Sequence, residues 1–312
     1  MITKPVVFFG TEAFSAVALD ALITAGFTIA AIVTKPDRAH GRGRRAELLP
    51  VKALALKYHI PLLQPESFDD DALTQLRILG VTAGVVVAYG KILPQRVIDL
   101  FNDGLINTHA SLLPRYRGAS PIEQAIYNGD AKTGVTLIRI EAGLDSGPTY
   151  AVAEYVLSGT ETKPKLYEAL AKLGANLLVT KLPSILDGSL TSVPQDATQV
   201  TLAGMIAKAD GALDCSRSAV ELDRQVRAYL GWPGSRLTIN EDVLIVTAAH
   251  PGDSEPFVDA DGNGATPGTP FLTTGGNLAV VTSHGELILD RVKPAGKQEM
   301  TGSAYVAGHP LR

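Results

Sequence analysis

The stretch "PVVFFGTEAFSAVALDALITAGFTIAAIV", residues 5–33, decides the fold of this chain. Its first part, residues 5–10, is an apolar run that predicts a short buried strand. Residues 13–26 repeat apolar side chains at helical spacing and end in a glycine, which predicts an amphipathic helix, and residues 27–33 predict a second strand. A strand, a helix and a strand in this order are typical of an α/β fold with a doubly wound, mostly parallel sheet.

The alternation continues along most of the chain and then stops. Further helices are predicted at about 51–58, 70–79, 164–186 and 218–229, and a further strand at 82–89. After residue 205, short strands separated by turns are typical of a small β-barrel or sandwich. We therefore predict one domain over residues 1–205, whose end at about 187–205 is a polar linker, and a second domain over residues 206–312.

Composition limits where the protein works and what it binds. The 312 residues are 46% hydrophobic, which is ample for a core, and the formal net charge of -4 means that any nucleic acid must be met by a local basic patch. Cys215 is the single cysteine, so an intrachain disulfide and a multi-cysteine zinc site are excluded. The longest apolar runs are shorter than the roughly 20 residues of a membrane span, and the N-terminus does not resemble a signal peptide. We therefore expect a cytoplasmic protein without a membrane partner.

A set of polar side chains marks the candidate site. In "INTHASLLPRYRGASPI", residues 106–122, strand alternation places Asn107 and His109 on one face at the carboxyl end of a predicted strand. Asp145 follows in the glycine-flanked loop "EAGLDSGP", directly after another predicted strand. Ligands of doubly wound sheets bind beyond the carboxyl ends of the strands, so these side chains are expected to converge there. An amide donor, an imidazole and a carboxylate suit acyl-type transfer, because the donors stabilise an oxyanion and the carboxylate orients the imidazole.

Other chemistries are disfavoured by what the sequence lacks. Ser111 lacks a strained GxSxG elbow and Cys215 lies in the second domain, so the attacking group is expected to belong to the substrate. A dinucleotide fingerprint needs three glycines after the first strand, and only Gly10 is present. The segment "DADGNG", residues 259–264, begins like a calcium loop but has Pro270 in place of the final glutamate, so we expect no metal.

A basic segment, "TKPDRAHGRGRRAELLPVK" at residues 34–52, follows the second predicted strand on the same rim of the sheet. Its six basic and two acidic residues give a local charge of +4, and two glycines separate its arginines. This composition suits a loop that reshapes itself around phosphates or around an unpaired end of a nucleic acid. A solvated surface loop is the alternative interpretation.

The combination of "NTHASLLPRYRGASPI" and "GVTLIRIEAGLDSGP" closely resembles the formyltransferases that use 10-formyltetrahydrofolate, whose signature is NxHxSLLP with a downstream aspartate. Within that superfamily the chain resembles the methionyl-tRNA formyltransferases over essentially its full length. The resemblance implies a Rossmann-like catalytic domain followed by a smaller OB-like barrel domain that binds tRNA. It also implies a monomeric enzyme that transfers a formyl group from 10-formyltetrahydrofolate, its co-substrate, to the α-amino group of methionine on initiator methionyl-tRNA.

The resemblance also assigns roles to residues of this chain. The catalytic triad of the family is matched by Asn107, His109 and Asp145. Its folate-binding segments are matched by Tyr89, Gly90, Ile92 and Leu93, within "VVVAYGKILP", and by Ser111, Leu112, Leu113 and Pro114. Its tRNA-reading loop is matched by the basic segment, in which Arg42 falls on the acceptor-stem arginine and the further tRNA-binding candidates are Arg38, Arg44 and Arg45. The chain departs from the family at residues 10–12, "GTE" for the usual GTP, and at residues 230–233, "LGWP" for the usual NPWP.

Rival functions remain open from the sequence. Formyl transfer to a purine precursor is disfavoured because those enzymes end near the first domain, whereas transfer to an amino sugar is closer in architecture and is distinguished mainly by the basic segment. Hydrolysis of 10-formyltetrahydrofolate would use the same triad without an amine acceptor. An RNA-binding module without catalysis would need only the barrel and the basic segment, and the intact triad argues against it.

Overall fold

A computed structural model describes residues 4–37, 39–40, 45–46, 48–252 and 265–311. The chain groups into two compact units, the first made of Met1–Pro121, Lys132–Val156 and Tyr167–Ala203, and the second of Ile122–Ala131, Leu157–Leu166 and Gly204–Arg312. The second unit thus takes in two short segments that come earlier in the chain than Gly204. The division into domains 1–205 and 206–312 stays a prediction.

The first unit is built on a seven-stranded sheet flanked by helices. The strands up to residue 203 are β1 (Val6–Gly10), β2 (Ile29–Val33), β3 (Ala39–His40), β4 (Arg45–Ala46), β5 (Leu62–Leu63), β6 (Ala83–Val87), β7 (Gly104–His109), β8 (Arg117–Gly118), β9 (Lys132–Arg139), β10 (Thr149–Val156) and β11 (Leu202–Ala203). The helices in the same part of the chain are α1 (Ala13–Thr24), α2 (Pro50–Lys57), α3 (Asp70–Ile78), α4 (Gln95–Ile98), α5 (Pro121–Tyr127) and α6 (Lys163–Leu186).

The strand order of the large sheet is β10-β9-β7-β6-β1-β2-β5. The five strands from β5 to β7 run parallel, whereas β9 and β10 are antiparallel to their neighbours. This arrangement confirms the predicted doubly wound, mostly parallel sheet. The helices and strands named from the sequence are all present, and their ends differ from the predicted ones by no more than two residues. Helix α1, for example, ends just before Gly26, whose φ of 84° lies in the left-handed region that favours glycine.

Helix α6 positions the strand that carries the candidate site. Gly174 of this helix lies against Thr108 of β7, where a Cβ at residue 174 would come within 3.0 Å of the Thr108 methyl carbon. The missing side chain therefore lets the helix approach the sheet closely. Because Thr108 faces the helix, Asn107 and His109 face the other side of the strand. Among the described residues, α6 is also the one helix that is long and apolar enough to cross a membrane by length and composition, and 44% of its most apolar window is buried.

The second unit contains a curled antiparallel sheet around its own core. Its strands are β12 (Ser235–Ile239), β13 (Asp242–Pro251), β14 (Pro270–Leu272), β15 (Leu278–Val281), β16 (Glu286–Pro294) and β17 (Met300–Thr301), and its later helices are α7 (Ala219–Ala228) and α8 (Gly302–Gly308). The order is β12-β13-β16-β15-β14, with β17 paired to β16. Leu222 of α7 packs with Leu244, Leu278 and Tyr305 in a buried cluster. The sheet agrees with the small β-barrel that the sequence predicted.

Helix α7 begins with a reciprocal cap. The hydroxyl of Ser218 accepts from the backbone N–H of Glu221, and the carboxylate of Glu221 accepts from the backbone N–H of Ser218 at 3.0 Å. Two backbone donors that a helix start leaves without a partner are thereby satisfied. The serine and the glutamate three residues later therefore fix where the helix starts.

Candidate active site

His109 ends strand β7 with both ring nitrogens facing protein groups. Its Nε2 lies 2.8 Å from the carbonyl oxygen of Tyr116, and its Nδ1 lies 3.5 Å from Oδ2 of Asp145. Because a carbonyl oxygen can only accept, Nε2 carries a proton and donates it to Tyr116. Nδ1 is therefore the ring nitrogen that faces the Asp145 carboxylate. The residue is 6% exposed, so the charge of its imidazolium form is compensated mainly by the Asp145 carboxylate.

Asp145 is held in a loop with an unusual backbone. Its φ of 46° lies in the left-handed region, which residues other than glycine seldom adopt. Its Oδ2 accepts the backbone N–H of Gly118 at 2.9 Å, and its Oδ1 lies 3.4 Å from Nδ2 of Asn107. These contacts bring Asn107, His109 and Asp145 together at the carboxyl end of β7.

The three side chains converge without closing on one another. The separations of 3.4 Å from Asn107 and 3.5 Å from His109 to the Asp145 carboxylate are longer than the about 2.7 to 3.2 Å of a well-formed hydrogen bond. The amide N–H of Asn107 and the Nδ1–H of a protonated His109 are therefore available to an oxygen atom that arrives beside Asp145. Two donors aimed at one point, with a carboxylate behind them, suit the stabilisation of an oxyanion in acyl transfer.

The first predicted folate segment, Tyr89–Leu93, buries the side chains at its two ends. The Tyr89 ring is 2% exposed and packs edge-to-face on Phe9 at 5.8 Å, and Leu93 is 8% exposed. Burial raises the pKa of Tyr89 to about 12, and its hydroxyl has no hydrogen-bond partner among the described residues. Ile92, in contrast, is 91% exposed, and Gly90 adopts a φ of 70°. This segment therefore exposes its backbone and the Ile92 side chain to a ligand, whereas the buried side chains of Tyr89 and Leu93 hold the segment in place.

The second predicted folate segment, Ser111–Pro114, directs its polar groups inward. The buried Ser111 hydroxyl donates to the carbonyl oxygen of Arg115 at 2.7 Å, and the backbone N–H of Leu113 donates to Oγ1 of Thr136 at 3.1 Å. A Cβ on Gly134 would lie 2.5 Å from Cδ2 of Leu112, so the Leu112 side chain packs closely against the backbone of Gly134. The segment follows β7 as Tyr89 follows β6, and these strands are neighbours, so both segments lie at the same edge of the sheet.

The predicted tRNA-binding arginines fall on a part of the chain that is only partly described. Arg38, Arg42 and Arg44 lie outside the described residues, and Arg45 is described only as part of β4, which pairs with β3. The two ends of the basic segment are joined by an ion pair between Asp37 and Lys52.

Gln64 braces the joined ends of the basic segment. Its Nε2 donates to the carbonyl oxygen of Lys35 at 2.9 Å and to Oδ1 of Asp37 at 3.1 Å, and its Oε1 accepts from Lys52 at 3.1 Å. Hydrogen bonds from Lys52 and then Gln64 lower the pKa of the Asp37 carboxyl, which is therefore ionised at neutral pH. The basic segment thus starts and ends at a fixed polar cluster beside the sheet.

The calcium-like segment 259–264 also lies outside the described residues. Within the described ranges, no group of three or more His, Cys, Asp or Glu side chains is placed to hold a metal ion. The expectation that no metal takes part stays a prediction.

Sequence reasoning missed Gln195, which contacts the backbone of the Asp145 loop. Its Nε2 donates to the carbonyl oxygens of Asp145 and Gly147 at 2.8 and 2.7 Å, and its Oε1 accepts from Arg117. Gln195 lies in the segment that was predicted to be a polar linker. A glutamine in a polar stretch carries no sequence signal, because its partners are 50 and 48 residues away.

Comparison with known proteins identifies the family. Residues 3–182 match the model of the formyl transferase family, and residues 205–310 match that of the formyl transferase C-terminal domain. The chain is 39% identical over 307 residues to the methionyl-tRNA formyltransferase of Heliobacterium modesticaldum, covering 98% of this chain and 97% of that protein. The chain belongs to the methionyl-tRNA formyltransferase family. A second member of the family, from Halorhodospira halophila, is 42% identical over 306 residues and covers 98% of this chain and 96% of its own length.

Solved structures share the fold at lower identity. The sugar 3N-formyltransferase WlaRD, solved with dTDP and 5-N-formyl-THF, has a TM-score of 0.67 at 17% identity, over 96% of this chain and 100% of that one. The phosphoribosylglycinamide formyltransferase of Bacillus halodurans has a TM-score of 0.52 at 20% identity and covers 60% of this chain and 97% of its own. These likenesses concern the fold alone. Membership of the family rests on the full-length relatives.

Proposed function

We propose that the protein transfers the formyl group of 10-formyltetrahydrofolate to the α-amino group of methionine on initiator methionyl-tRNA, and that Asn107, His109 and Asp145 carry out the transfer. The full-length relatives support the reaction. The convergence of the Asn107 amide and the His109 imidazole on the Asp145 carboxylate is the observation that carries the assignment of roles.

The first step is attack by the substrate's own amine. An α-amino group has a pKa of about 7.7 to 8.0, and the neighbouring ester lowers it, so a useful fraction is neutral without a strong enzymic base. Its lone pair forms a bond to the formyl carbon, and the carbonyl oxygen becomes an oxyanion. Asn107 donates one hydrogen bond to that oxygen, and the Nδ1–H of protonated His109 donates a second. Asp145 faces both donors and offsets the positive charge of the imidazolium.

The second step breaks the bond between the formyl carbon and the folate nitrogen. The oxyanion returns its electron pair to reform the carbonyl, and the leaving nitrogen takes a proton that His109 supplies from Nδ1. The attacking nitrogen loses its extra proton to a water molecule ordered by Asp145. Because Tyr116 keeps the Nε2–H of His109 directed at its carbonyl oxygen, the ring keeps Nδ1 toward the reacting atoms through both steps.

Positioning of two flexible substrates is expected to supply much of the rate. We propose that the pterin lies between the segments Tyr89–Leu93 and Ser111–Pro114, where backbone groups and Ile92 are offered. We propose further that Arg38, Arg42, Arg44 and Arg45 contact the acceptor end of the tRNA, and that the enzyme acts in the cytoplasm as a monomer. The fixed polar cluster of Asp37, Lys52 and Gln64 supports a basic segment that starts at the catalytic rim.

The reaction is tested by incubating the protein with 10-formyltetrahydrofolate and charged initiator tRNA, and scoring N-formylmethionine. A nucleotide-linked amino sugar serves as the competing acceptor, and formate release without an acceptor reports hydrolysis. We expect formylmethionine as the main product, at a rate that falls about a hundredfold in Asn107→Ala. Formylation of the amino sugar but not of the tRNA, or formate as the main product in the presence of charged tRNA, would overturn the proposal.

A further inference from the structure

We propose that Gln195 is a positioning residue for Asp145, and that Arg117 holds Gln195 in the orientation that this requires; the proposal rests on the catalytic role proposed above for Asp145. The Gln195 amide donates to the backbone carbonyls of the Asp145 loop. It acts on the backbone that presents the carboxylate to His109.

The hydrogen bonds fix which end of the Gln195 amide faces the Asp145 loop. Arg117 reaches Oε1 with Nε at 3.1 Å and with Nη2 at 2.8 Å, and an arginine can only donate. The oxygen must therefore face Arg117, and the nitrogen must face the loop. Both hydrogens of that nitrogen are used, one on the carbonyl of Asp145 at 2.8 Å and one on the carbonyl of Gly147 at 2.7 Å.

The Asp145 loop needs support from outside because its own contacts are few. The φ of 46° at Asp145 lies in the left-handed region, which is unfavourable for most residues that carry a Cβ. Residues 141–144 are exposed, so burial does not hold the part of the loop that precedes Asp145. The Gln195 amide donates to the carbonyls of Asp145 and Gly147, on either side of Ser146, and so prevents this part of the loop from rotating toward ordinary backbone angles.

The segment that carries Gln195 also supports the partner of His109. We call residues 193–203 the strap. Within it, Thr201 accepts the backbone N–H of Tyr116 on its hydroxyl at 2.9 Å, and its carbonyl accepts the N–H of Arg117 at 2.9 Å. Tyr116 is the residue whose carbonyl oxygen binds Nε2 of His109. The strap therefore fixes the position of an atom that orients the imidazole.

The end of the strap supports the remaining partner of Asp145. The carbonyl of Ala203 accepts the backbone N–H of Ala119 at 2.8 Å, and β11 pairs with β8 in parallel, with Ala203 opposite Gly118. Gly118 donates its N–H to the Asp145 carboxylate. The strap thus supports Asp145 in two ways. It supports the carboxylate through Gly118, which pairs with Ala203, and it binds the backbone through Gln195.

A general packing role for Gln195 would make different demands on the side chain. The residue is half-buried between the exposed residues Pro194 and Asp196, and its hydrogen bonds go to Arg117 and to the carbonyls of Asp145 and Gly147. A packing role needs the shape of the side chain, whereas the proposed role needs the two N–H groups of its amide. Glutamate has nearly the same shape and lacks those donors, so Gln195→Glu separates the two roles.

The test is a double-mutant cycle on formylation of methionyl-tRNA by the full chain. Gln195→Ala and Gln195→Glu should each lower kcat about tenfold to a hundredfold, as displacement of a catalytic group by an ångström does, with the KM for both substrates nearly unchanged. In an Asp145→Ala background, Gln195→Ala should lower kcat no further. Gln199→Ala in the same strap is the matched control, because this exposed glutamine bonds only to Asp196 among the described residues, and it should retain wild-type kcat.

The outcomes separate this proposal from the proposed function. If Asp145→Ala is impaired and Gln195→Ala is not, or if Gln195→Ala costs the same factor in both backgrounds, the positioning role is wrong and the catalytic role of Asp145 stands. If Gln195→Glu retains full activity, the side chain acts by shape, and the proposal fails. If Asp145→Ala itself is fully active, the catalytic role of Asp145 fails, and the positioning role fails with it. Thermal unfolding of each variant shows whether it is folded. If Gln195→Ala does not fold, Gln195→Glu alone decides the test.

Discussion

Gly118 faces the carbonyl oxygen of Ala203 so closely that a Cβ at residue 118 would lie 2.5 Å from it. The glycine also adopts a φ of 120°, which side chains seldom tolerate. Gly118→Ala should therefore push the strap away from β8 and lower the free energy of unfolding by about 1 to 3 kcal/mol. It should also lower kcat, because the N–H of Gly118 anchors the Asp145 carboxylate. Gly204→Ala, with nothing within 4 Å of the new Cβ, is the control, and equal behaviour of the two variants in urea unfolding and formylation would contradict the argument.

The two faces of β7 should respond differently to substitution. Asn107→Ala and His109→Ala should each lower kcat about a hundredfold or more without loss of fold, because each removes a donor to the oxyanion. Thr108→Val, on the face toward α6, is the control. The Thr108 hydroxyl is buried and has no partner among the described residues, so its removal should leave kcat unchanged and stability equal or higher. Steady-state kinetics with thermal unfolding checks the set, and near-normal formylation by the Asn107 variant would sink the assigned role.

Folate binding should depend on the exposed side chain of its predicted segment. Ile92→Ala should raise the KM for 10-formyltetrahydrofolate roughly tenfold, as expected when a ligand loses an isoleucine as an apolar contact. Ile78→Ala is the matched control, since Ile78 is 79% exposed at the end of α3 and should leave that KM unchanged. A folate-bound structure with the pterin away from both segments would show that the assignment is wrong.

Arg42, which lies outside the described residues, is predicted from the sequence to read the acceptor end of the tRNA. If the initiator is recognised by its unpaired first base pair, opening a paired end instead costs a few kcal/mol, and Arg42→Ala should abolish the preference for the open end. Arg44→Ala and Arg45→Ala should mainly weaken binding and flatten its salt dependence. Formylation of initiator tRNA is compared with that of a variant whose first pair is closed, with Arg77→Ala of α3 as the control. A mutant that keeps the full preference places recognition elsewhere.

The cap of α7 should make stability depend on pH through Glu221. The N–H and hydroxyl of Ser218, followed by the Arg217 side chain, lower the pKa of Glu221 to about 2. Because the pKa of Glu221 falls on folding, the carboxylate stabilises the folded state fully above about pH 4.3, its pKa in the unfolded chain. This stabilisation is lost as the pH falls from there toward the pKa of the folded state, about 2. The difference in free energy of unfolding between wild type and Glu221→Gln should therefore shrink below about pH 4. Urea unfolding between neutral pH and about pH 3 tests this, and a difference independent of pH would refute it.

Local patterns carried most of the fold and the centre of the candidate site. Alternation along β7 placed Asn107 and His109 on one face, and the helix and strand periods gave each element because burial repeats at those spacings. The same patterns could not reveal Gln195, since its partners come from loops far away in the chain. They also could not show that the Tyr89 side chain points into the core while Ile92 is exposed. That difference depends on the packing of Tyr89, just beyond β6, against Phe9 of the neighbouring strand β1, a contact between residues distant in sequence.

The ribosome synthesises the three triad residues before the strap residues that help to orient them. All three side chains are present once the chain has reached residue 145, yet several hydrogen bonds to the groups that orient them come from residues 193–203. During translation at about 5 to 20 residues per second, a nascent chain would hold its reactive groups unaligned for several seconds. A fragment that ends before residue 193 would likewise contain every reactive group without the hydrogen bonds that Gln195 and Thr201 supply.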